Sequence, residues 1–202
     1  MMLKLYPGQS IYLLIFCSCL LFSSCERTKR LTDRDKLWIP YQKNELLVFE
    51  SSAKARDTII YIKNDTLTDD PNIYNPLSIK FETITVFSKH SDDKSSFDLE
   101  LFRIDKSADG KARIYPGHFD KDSWFYVLNG FSVDSLTNIK PQKIKVFDNT
   151  FDDVYILYPQ DFLYRKDEKS FVTKVYWSKT KGMIKYVRRD SVYWGLKFIK
   201  IN

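Results

Sequence analysis

Alternation of apolar and polar residues with a period of two begins at Leu37, continues to Ile199, and limits the possible folds more than any other feature. Successive side chains of a β-strand point to opposite faces, so this period predicts strands with one buried face. The 13 Tyr and 15 Phe suit a pleated, half-buried surface. No window of about 15 residues carries a helical stripe, although 158–168 is compatible with a short helical turn. The sequence therefore predicts an all-β or mainly β domain.

Eleven segments fit strands, and short turns join several of them into hairpins. SSAKAR links the first two, Asp109-Gly110 supplies the positive-φ residues of a tight turn, and SKTKG and RRDS join the last three. In the fourth segment we expect Phe97, Leu99 and Leu101 to face inward. The predicted strands are 45–50, 57–63, 78–88, 97–105, 111–115, 124–128, 142–147, 154–158, 170–178, 183–189 and 191–199.

Ten or eleven antiparallel strands within the 177 residues after Cys25 cannot remain one flat sheet. They must curl as a meander into a half-barrel or barrel, or split into a sandwich. No internal repeat and no Gly/Ser-rich or Pro-rich linker divides the chain. We therefore expect a single antiparallel β domain over residues 37–202.

The first 25 residues have the three-part form of a bacterial lipoprotein signal peptide. Lys4 provides a positive n-region, and the apolar stretch 11–22 is too short for a membrane span of about 20 residues. Two serines then precede Cys25, which suits signal peptidase II and makes Cys25 the expected site of lipidation. The sequence thus predicts a signal peptide over 1–24, followed by a lipid anchor and charged tether over 25–36.

Alternatives to an anchor at Cys25 remain at this point. Phe22 replaces the usual leucine three positions before the cysteine, and Cys19 is a poorer lipidation candidate because apolar residues follow it. An uncleaved amphipathic anchor or an ordinary secretory signal would also fit. All three cysteines, including Cys17, lie in this segment, so a domain lipidated at Cys25 has no thiol for a disulfide, a metal or nucleophilic catalysis.

The charge of the chain favours a membrane surface over nucleic acid. The net charge is +6, and +5 without the signal peptide, from 31 basic and 26 acidic residues that alternate throughout. The densest basic segment, KTKGMIKYVRR (179–189), contains Tyr186, and a nucleic-acid surface would need such an aromatic residue. A solvated hairpin face explains it better, and an envelope location argues against nucleic acid. Lipid headgroups or lipopolysaccharide fit the charge better.

Acidic and histidine-containing segments fit turns better than metal sites. DKSADG (105–110) resembles the start of an EF-hand loop, but Pro116 stands where a bidentate Glu is needed and the segment joins two strands. His118, Asp120 and Asp122 alternate along the chain, but the glycine and proline before them indicate a loop. The sequence therefore predicts no metal site.

Catalytic motifs are lacking as well. Asp69-Asp70 and Asp152-Asp153 have the composition of solvated turns. The chain has no nucleophile elbow, zinc-protease motif, P-loop or dinucleotide fingerprint, and its six glycines make a phosphate-cradling loop improbable. We expect neither an enzyme nor a cofactor.

Adjacent aromatic residues mark two strands near the C-terminus. Tyr176 and Trp177, then Tyr193 and Trp194, place one ring on each face of their strands. One ring of each pair is expected to pack in the core. The other ring either pairs with a side chain on a neighbouring strand or forms part of an exposed binding face. Because a curled sheet must fill its interior, both interpretations remain open.

Three segments carry a resemblance to a known family. A lipobox cysteine is followed by LWIPYQKNELLVFES (37–51) and DTIIYI (57–62), and the chain closes with VYWSKTKGMIKYVRRDSVYWGLK (175–197). In these segments the chain resembles the small uncharacterised lipoproteins of Bacteroidetes. That family has no assigned reaction, so the resemblance implies an envelope location and a fold. Surface export in that phylum uses an acidic run after the lipid cysteine; basic residues follow Glu26 here, which favours an outer-membrane lipoprotein facing the periplasm.

The same resemblance implies O-glycosylation at Asp-Ser or Asp-Thr followed by an apolar or small residue. Four triplets fit, with hydroxyls at Thr58, Thr66, Ser135 and Ser191, where about one is expected by chance. Thr66 and Ser135 lie in loop-like sequence and are expected to be modified most, whereas Thr58 and Ser191 border strong strands. Ordinary turn chemistry would explain the same residues.

Two functions fit these features. The first is a non-catalytic, lipid-anchored envelope module that binds a partner protein or scaffolds an outer-membrane assembly. The second is a carrier of a hydrophobic ligand or lipidated protein, resembling LolB-type acceptors, which are anchored half-barrels of similar length. A continuous apolar cavity would favour the carrier, and a filled core with an exposed aromatic patch would favour the binding module.

Overall fold

A computed structural model describes residues 28–42, 44–69, 79–90, 99–117, 125, 127–160 and 168–201. Within these ranges the chain forms twelve strands and two short helices, so the mainly β prediction is confirmed. The helices are α1 (Asp33–Lys36) and α2 (Val133–Thr137). The strands are β1 (Thr28–Lys29), β2 (Glu45–Ser51), β3 (Arg56–Asp69), β4 (Lys80–His90), β5 (Leu99–Lys106), β6 (Ala112–Pro116), β7 (Phe131–Ser132), β8 (Gln142–Val146), β9 (Asn149–Leu157), β10 (Val172–Ser178), β11 (Gly182–Arg188) and β12 (Tyr193–Ile201).

One sheet contains all twelve strands. Its order is β7-β6-β5-β4-β3-β2-β12-β11-β10-β9-β8, and β1 pairs in parallel with β4 from off this path. Every other pairing is antiparallel. Of the predicted alternatives the sheet forms the half-barrel. Twist accumulates over this many strands, and curling lets one face bury its apolar side chains against itself.

Large aromatic side chains from distant strands fill the interior of the half-barrel. Phe102 of β5 stacks on Trp177 of β10, with ring centroids 4.9 Å apart and an interplanar angle of 20°. Tyr41 packs edge-on against both rings, at 6.2 and 6.0 Å. Trp38 lies 5.0 Å from Tyr155 of β9. The two sides of the curled sheet therefore meet across a core built from their own side chains.

Tyr41, between α1 and β2, attaches this core to the β10–β11 turn. Its hydroxyl accepts a hydrogen bond from the backbone N–H of Met183 at 3.1 Å. Gly182, at φ +75°, adopts a left-handed conformation, and a Cβ there would lie 2.5 Å from the Tyr41 ring. Burial raises the pKa of Tyr41, so the hydroxyl remains neutral in the core. Glycine is thus needed at this turn both for its backbone and for close packing.

Residues 28–36, which the sequence analysis assigned to the tether, pack on the sheet. Leu31 is buried, and its N–H donates to the Glu82 carboxylate at 2.8 Å. Asp35 of α1 accepts a hydrogen bond from Lys106 Nζ at 2.8 Å. The charged residues of this segment suggested a solvated linker, but in the structure they form hydrogen bonds and ion pairs with the sheet. The remaining residues of the predicted tether lie outside the described residues.

The predicted strand at 124–128 is wrong where the structure describes it. Residues 125, 127 and 128 form no strand, and β7 and α2 follow instead. Gly130 bends the chain at φ +63°, against the Tyr115 ring, and Ser132 caps α2 by accepting from the Ser135 N–H. The suggested helical turn at 158–168 is also absent from residues 158–160 and 168, and its remainder lies outside the described residues.

Strand β5 departs from strict alternation. Val86 pairs with Phe102 and Phe87 with Glu100, so Leu101 is the extra residue of a β-bulge. Leu101 is buried as predicted, and the bulge allows the next residue, Phe102, to be buried as well. The Phe102–Trp177 stack depends on this irregularity, which an alternating pattern does not predict.

Candidate functional site

Strands β10 and β12 carry an aromatic residue on each face, as their adjacent Tyr-Trp pairs predict. Trp177 lies in the core, and Trp194 is opposite Tyr186 on the same inner face, with stacked rings 6.3 Å apart. By alternation Tyr176 and Tyr193 lie on the outer face, where both remain partly exposed.

Lysines lie between the outer tyrosine rings. Lys185 Nζ is 4.4 Å from the ring centroid of Tyr193 and 5.3 Å from that of Tyr176. Lys174 Nζ is 5.9 Å from Tyr176 and 5.6 Å from Tyr158. These are cation–π distances. We call the series Tyr158–Lys174–Tyr176–Lys185–Tyr193 the lysine–tyrosine ladder; it crosses the outer face from the end of β9 to β12.

The tip of the β8–β9 hairpin packs on this surface at β12, where Asn149 Nδ2 donates to the Lys197 carbonyl at 2.9 Å. The Phe147 ring lies 6.5 Å from Tyr193, and Lys197 Nζ is 4.9 Å from Phe147. Phe147 reaches β12 because Gly195 has no side chain; a Cβ there would lie 2.8 Å from the Phe147 ring. Lys197 therefore adds a third ammonium group beside the ladder.

The three lysines are not neutralised by the fold. Lys174, Lys185 and Lys197 form no ion pair with any carboxylate among the described residues. Burial, together with the nearby charge of Lys174, lowers the pKa of Lys185. Glu50 lies on the same face, opposite Gly195, but Lys54 and Arg56 each approach its carboxylate to 3.6 Å.

The sequence pointed to Tyr176 and Tyr193, but not to Tyr158 or to the lysines of the ladder. The spacing of Lys174 and Tyr176 signals that they share a face. The other contacts require the strand register, in which Tyr176 is opposite Lys185. The predicted solvated face of 179–189 thus contributes Lys185 to the ladder, while Tyr186 of the same segment is buried.

A second candidate is a cleft of about 240 Å³ beside the β5–β6 hairpin. Asp105 and Tyr115 are hydrogen-bonded there, and Arg103 lies over the Tyr115 ring at 4.4 Å. Burial raises the pKa of Asp105, against the opposing effects of Tyr115 and Arg103. Burial and the Asp105 charge raise the pKa of Tyr115 to about 12. The pair is therefore a carboxylate bonded to a neutral phenol.

The cations around this cleft are bound by the fold. Arg113 donates to Asn129 O at 2.8 Å, to Asp109 Oδ2 at 2.9 Å and to Ser107 Oγ at 3.2 Å. Lys106 binds the Asp35 carboxylate of α1. The cleft is thus a polar network that holds the β5–β6 hairpin, although the buried atoms Asp105 Oδ1 and Arg103 Nε have no hydrogen-bond partner among the described residues.

Acidic residues stabilise two turns, of which only the turn at DKSADG contains its acidic residue, Asp109, as the sequence predicted. DKSADG forms the β5–β6 turn, in which Gly110 has φ +81°. Hydrogen bonds from Ser107 and the Lys111 N–H lower the pKa of Asp109. Asp152 and Asp153, predicted to lie in a solvated turn, lie instead within β9, and Asp153 is partly buried. The Asp153 carboxylate accepts hydrogen bonds at 2.7 Å from the Ser178 hydroxyl and at 2.8 Å from both the N–H and the hydroxyl of Thr180, and so stabilises the neighbouring β10–β11 turn.

Metal-ligating groups are not brought together in the part of the chain that the structure describes. His118, Asp120 and Asp122 lie outside that part. His90 is buried, and its Nδ1 is 2.8 Å from Asp57 Oδ2, which links β4 to β3. Only the strand register joins this pair, because the two residues are distant in sequence. An imidazole and a carboxylate are two of the three groups of a hydrolytic triad. Residues 91–98, which follow His90, lie outside the described ranges, and no third group is assigned to this pair.

The predicted modification sites that the structure describes are spread over β3, α2 and the β11–β12 turn. Cys25 is outside the described residues, and none of the described helices is long and apolar enough to cross a membrane. Thr66 is exposed but lies within β3, and Ser135 is exposed on α2, so the loop context expected for both is wrong. Thr58 is partly buried in β3, whereas Ser191 is exposed in the β11–β12 turn.

No protein-family model, no curated protein and no solved structure matches the chain. Its function therefore rests on the filled half-barrel and on the lysine–tyrosine ladder of the outer face.

Proposed function

We propose that this chain is a non-catalytic binding or scaffolding module of the cell envelope, anchored by a lipid on Cys25 in the outer membrane and facing the periplasm. The resemblance to small lipoproteins of Bacteroidetes supports this location. The observation that carries the binding role is the filled interior: Phe102, Trp177 and Tyr41 occupy the centre of the half-barrel. A partner would therefore bind to the outer surface.

The distribution of charged groups supports the same proposal. Arg113, Lys106 and Asp153 use their charges within the fold, to hold a hairpin, a helix and a turn. The lysines of the ladder instead contact ring faces and meet no described carboxylate. A charged group that the fold does not neutralise is available to a partner.

The LolB-like carrier is the competing function. A carrier of an acyl chain needs an apolar cavity that encloses much of its ligand. With centroids 4.9 Å apart, the Phe102 and Trp177 rings leave no space for a chain between them. Carriage would require this stack to separate, which would expose two of the larger aromatic surfaces of the core.

Replacement of Cys25 tests the anchor. In the native host, Cys25→Ser should move the protein from the membrane fraction to the soluble fraction and abolish labelling by a fatty-acid probe. Cys19→Ser is the matched control and should remain membrane-bound and labelled. If Cys25→Ser stays in the membrane and still incorporates label, the anchor is Cys19 or an uncleaved helix, and the proposal is wrong.

Mass analysis of the purified protein distinguishes the two functions. The binding module should contain only its covalent lipid when it is measured under non-denaturing conditions. Stoichiometric co-purified lipid that is lost on denaturation would instead identify a carrier and show that the aromatic core opens.

A further inference from the structure

We propose that the outer face of β10, β11 and β12 docks on an anionic lipid bilayer, with the ladder lysines and Lys197 facing lipid phosphates. The inference deepens the proposed function and rests on it, because a lipid anchor would hold the domain beside such a bilayer. The docking is tested with protein that lacks Cys25 and therefore carries no covalent lipid.

Positive charge is clustered along the ladder. Lys174 and Lys185 are close enough that the charge of one acts on the other, and both contact the Tyr176 ring. The rings restrict the lysine side chains before any ligand binds, which reduces the conformational entropy lost on binding. No carboxylate among the described residues pairs with these two neighbouring ammonium groups, so they repel each other. An anion bound against both would offset that repulsion.

Exposed aromatic surface lies on the same face as these charges. A register shift after Leu196 places Phe198 opposite Val48, outside the core. Phe198 is 51% exposed, and Tyr158, at the other end of the ladder, is 54% exposed. Aromatic rings flanking lysines are typical of protein surfaces at the membrane–water interface. Lys200, two positions beyond Phe198, is exposed as well.

The geometry favours a bilayer over an acidic glycan. The ladder crosses from the end of β9 to β12, about 14 Å at the usual strand spacing, and so faces several headgroups at once. A sugar would stack on the tyrosine faces, but lysine ammonium groups lie over Tyr176 and Tyr193 already. Lipid phosphates would pair with the ammonium groups alone and need no free ring face.

Vesicle binding by a fragment without the signal peptide and Cys25 tests the docking face. Residues 26–202 contain every residue of the described hydrophobic core, which runs from Leu31 to Leu196, and far-UV circular dichroism checks the fold of each variant. This fragment should bind phosphatidylcholine vesicles that contain phosphatidylglycerol, and pure phosphatidylcholine vesicles much less. The binding should weaken as salt is raised, because salt screens exposed charges.

Matched triple variants locate the binding surface. Lys174→Gln, Lys185→Gln and Lys197→Gln together should lower the vesicle partition coefficient about 100-fold, since each lysine near an anionic bilayer contributes about 1 kcal/mol. The control combines Lys111→Gln, Lys140→Gln and Lys169→Gln, which remove the same charge from exposed turns. The control should lose far less affinity.

Aromatic variants and a glycan separate the remaining outcomes. Phe198→Ser should also weaken binding, whereas Leu128→Ser, at a similarly exposed apolar residue, should not. Equal losses in both triple variants, or no preference for anionic vesicles, would overturn the inference. So would binding to polygalacturonate without binding to vesicles, which would make the face a glycan site. None of these results bears on the release of Cys25→Ser, so the anchor proposal succeeds or fails separately.

Discussion

The indole ring of Trp177 stacks on the phenyl ring of Phe102, although their strands are six positions apart in the sheet. Both side chains are fully buried. The contact joins the two arms of the curled sheet and fills the space between them. Among the described residues, aromatic packing rather than a hydrogen-bonded seam thus joins the two arms of the half-barrel.

Truncation of this stack should destabilise the whole domain. We expect Trp177→Ala to reduce the free energy of unfolding by about 3–5 kcal/mol, because a large buried ring leaves a cavity. Trp177→Phe should cost less, since it keeps a ring and removes an indole N–H that has no hydrogen-bond partner in the described core. Ile139→Ala, at an exposed residue, is the control and should have little effect. Denaturant unfolding measures all three, and equal losses would contradict the role of the stack.

The Tyr41 hydroxyl should contribute to stability through a single hydrogen bond. Tyr41→Phe removes the acceptor of the Met183 N–H and leaves that buried donor unpaired. We expect a loss of about 1–3 kcal/mol in the free energy of unfolding. Tyr158→Phe removes the same group from an exposed ring and should be close to neutral. Indistinguishable unfolding curves for the two variants would show that Met183 finds another partner.

Asp153 should stabilise the fold more at neutral pH than in acid. Burial alone would raise its pKa, but hydrogen bonds from Ser178 and Thr180 outweigh burial and lower the pKa below the ordinary value of 3.8. A carboxyl whose pKa is lower in the folded state stabilises the fold above its unfolded pKa. That contribution is lost as the pH falls through the folded pKa. Asp153→Asn should therefore flatten the decline of stability in acid, as measured by unfolding at a series of pH values.

Asp105 should show the opposite dependence. Burial raises its pKa, so its contribution is greatest at low pH and is lost as the pH rises through the raised folded value. Asp105→Asn keeps an acceptor for the Tyr115 hydroxyl and removes the charge. We expect the variant to gain stability relative to the parent chain at neutral pH and to lose that advantage in acid. A constant difference at all pH values would show that the carboxyl is not perturbed.

O-glycosylation in the native host should follow exposure. Thr66, Ser135 and Ser191 present exposed hydroxyls, whereas Thr58 is partly buried in β3. We expect added mass on Thr66 or Ser135 and least on Thr58, because the transferring enzyme must reach the hydroxyl. Intact-mass and peptide analysis of the protein made in its own organism provides the measurement. Unmodified peptides covering all four triplets would leave these residues as ordinary strand and turn chemistry.

Strand content and several hairpins followed from the sequence alone. Alternation predicts a strand because its side chains change face at every residue, and turn residues such as Gly110 act on their immediate neighbours. The β2–β3, β5–β6, β10–β11 and β11–β12 hairpins therefore appeared within a few residues of their predicted positions. The same local rule put Tyr176 and Trp177, and likewise Tyr193 and Trp194, on opposite faces, but it did not say which ring of each pair faces the core. The lipid anchor at Cys25 is likewise a sequence prediction and stays one.

The tertiary structure alone decided which distant strands meet. Insertion of β12 between β2 and β11, the Phe102–Trp177 stack and the packing of residues 28–36 join parts of the chain that no local pattern connects. Strand order depends on how the whole sheet twists and on which aromatic side chains fill its interior, and both are sums over many residues. The ladder shows the same division: the sequence separated Tyr176 and Tyr193 from their neighbouring tryptophans, but only the register put Lys185 between the two tyrosines.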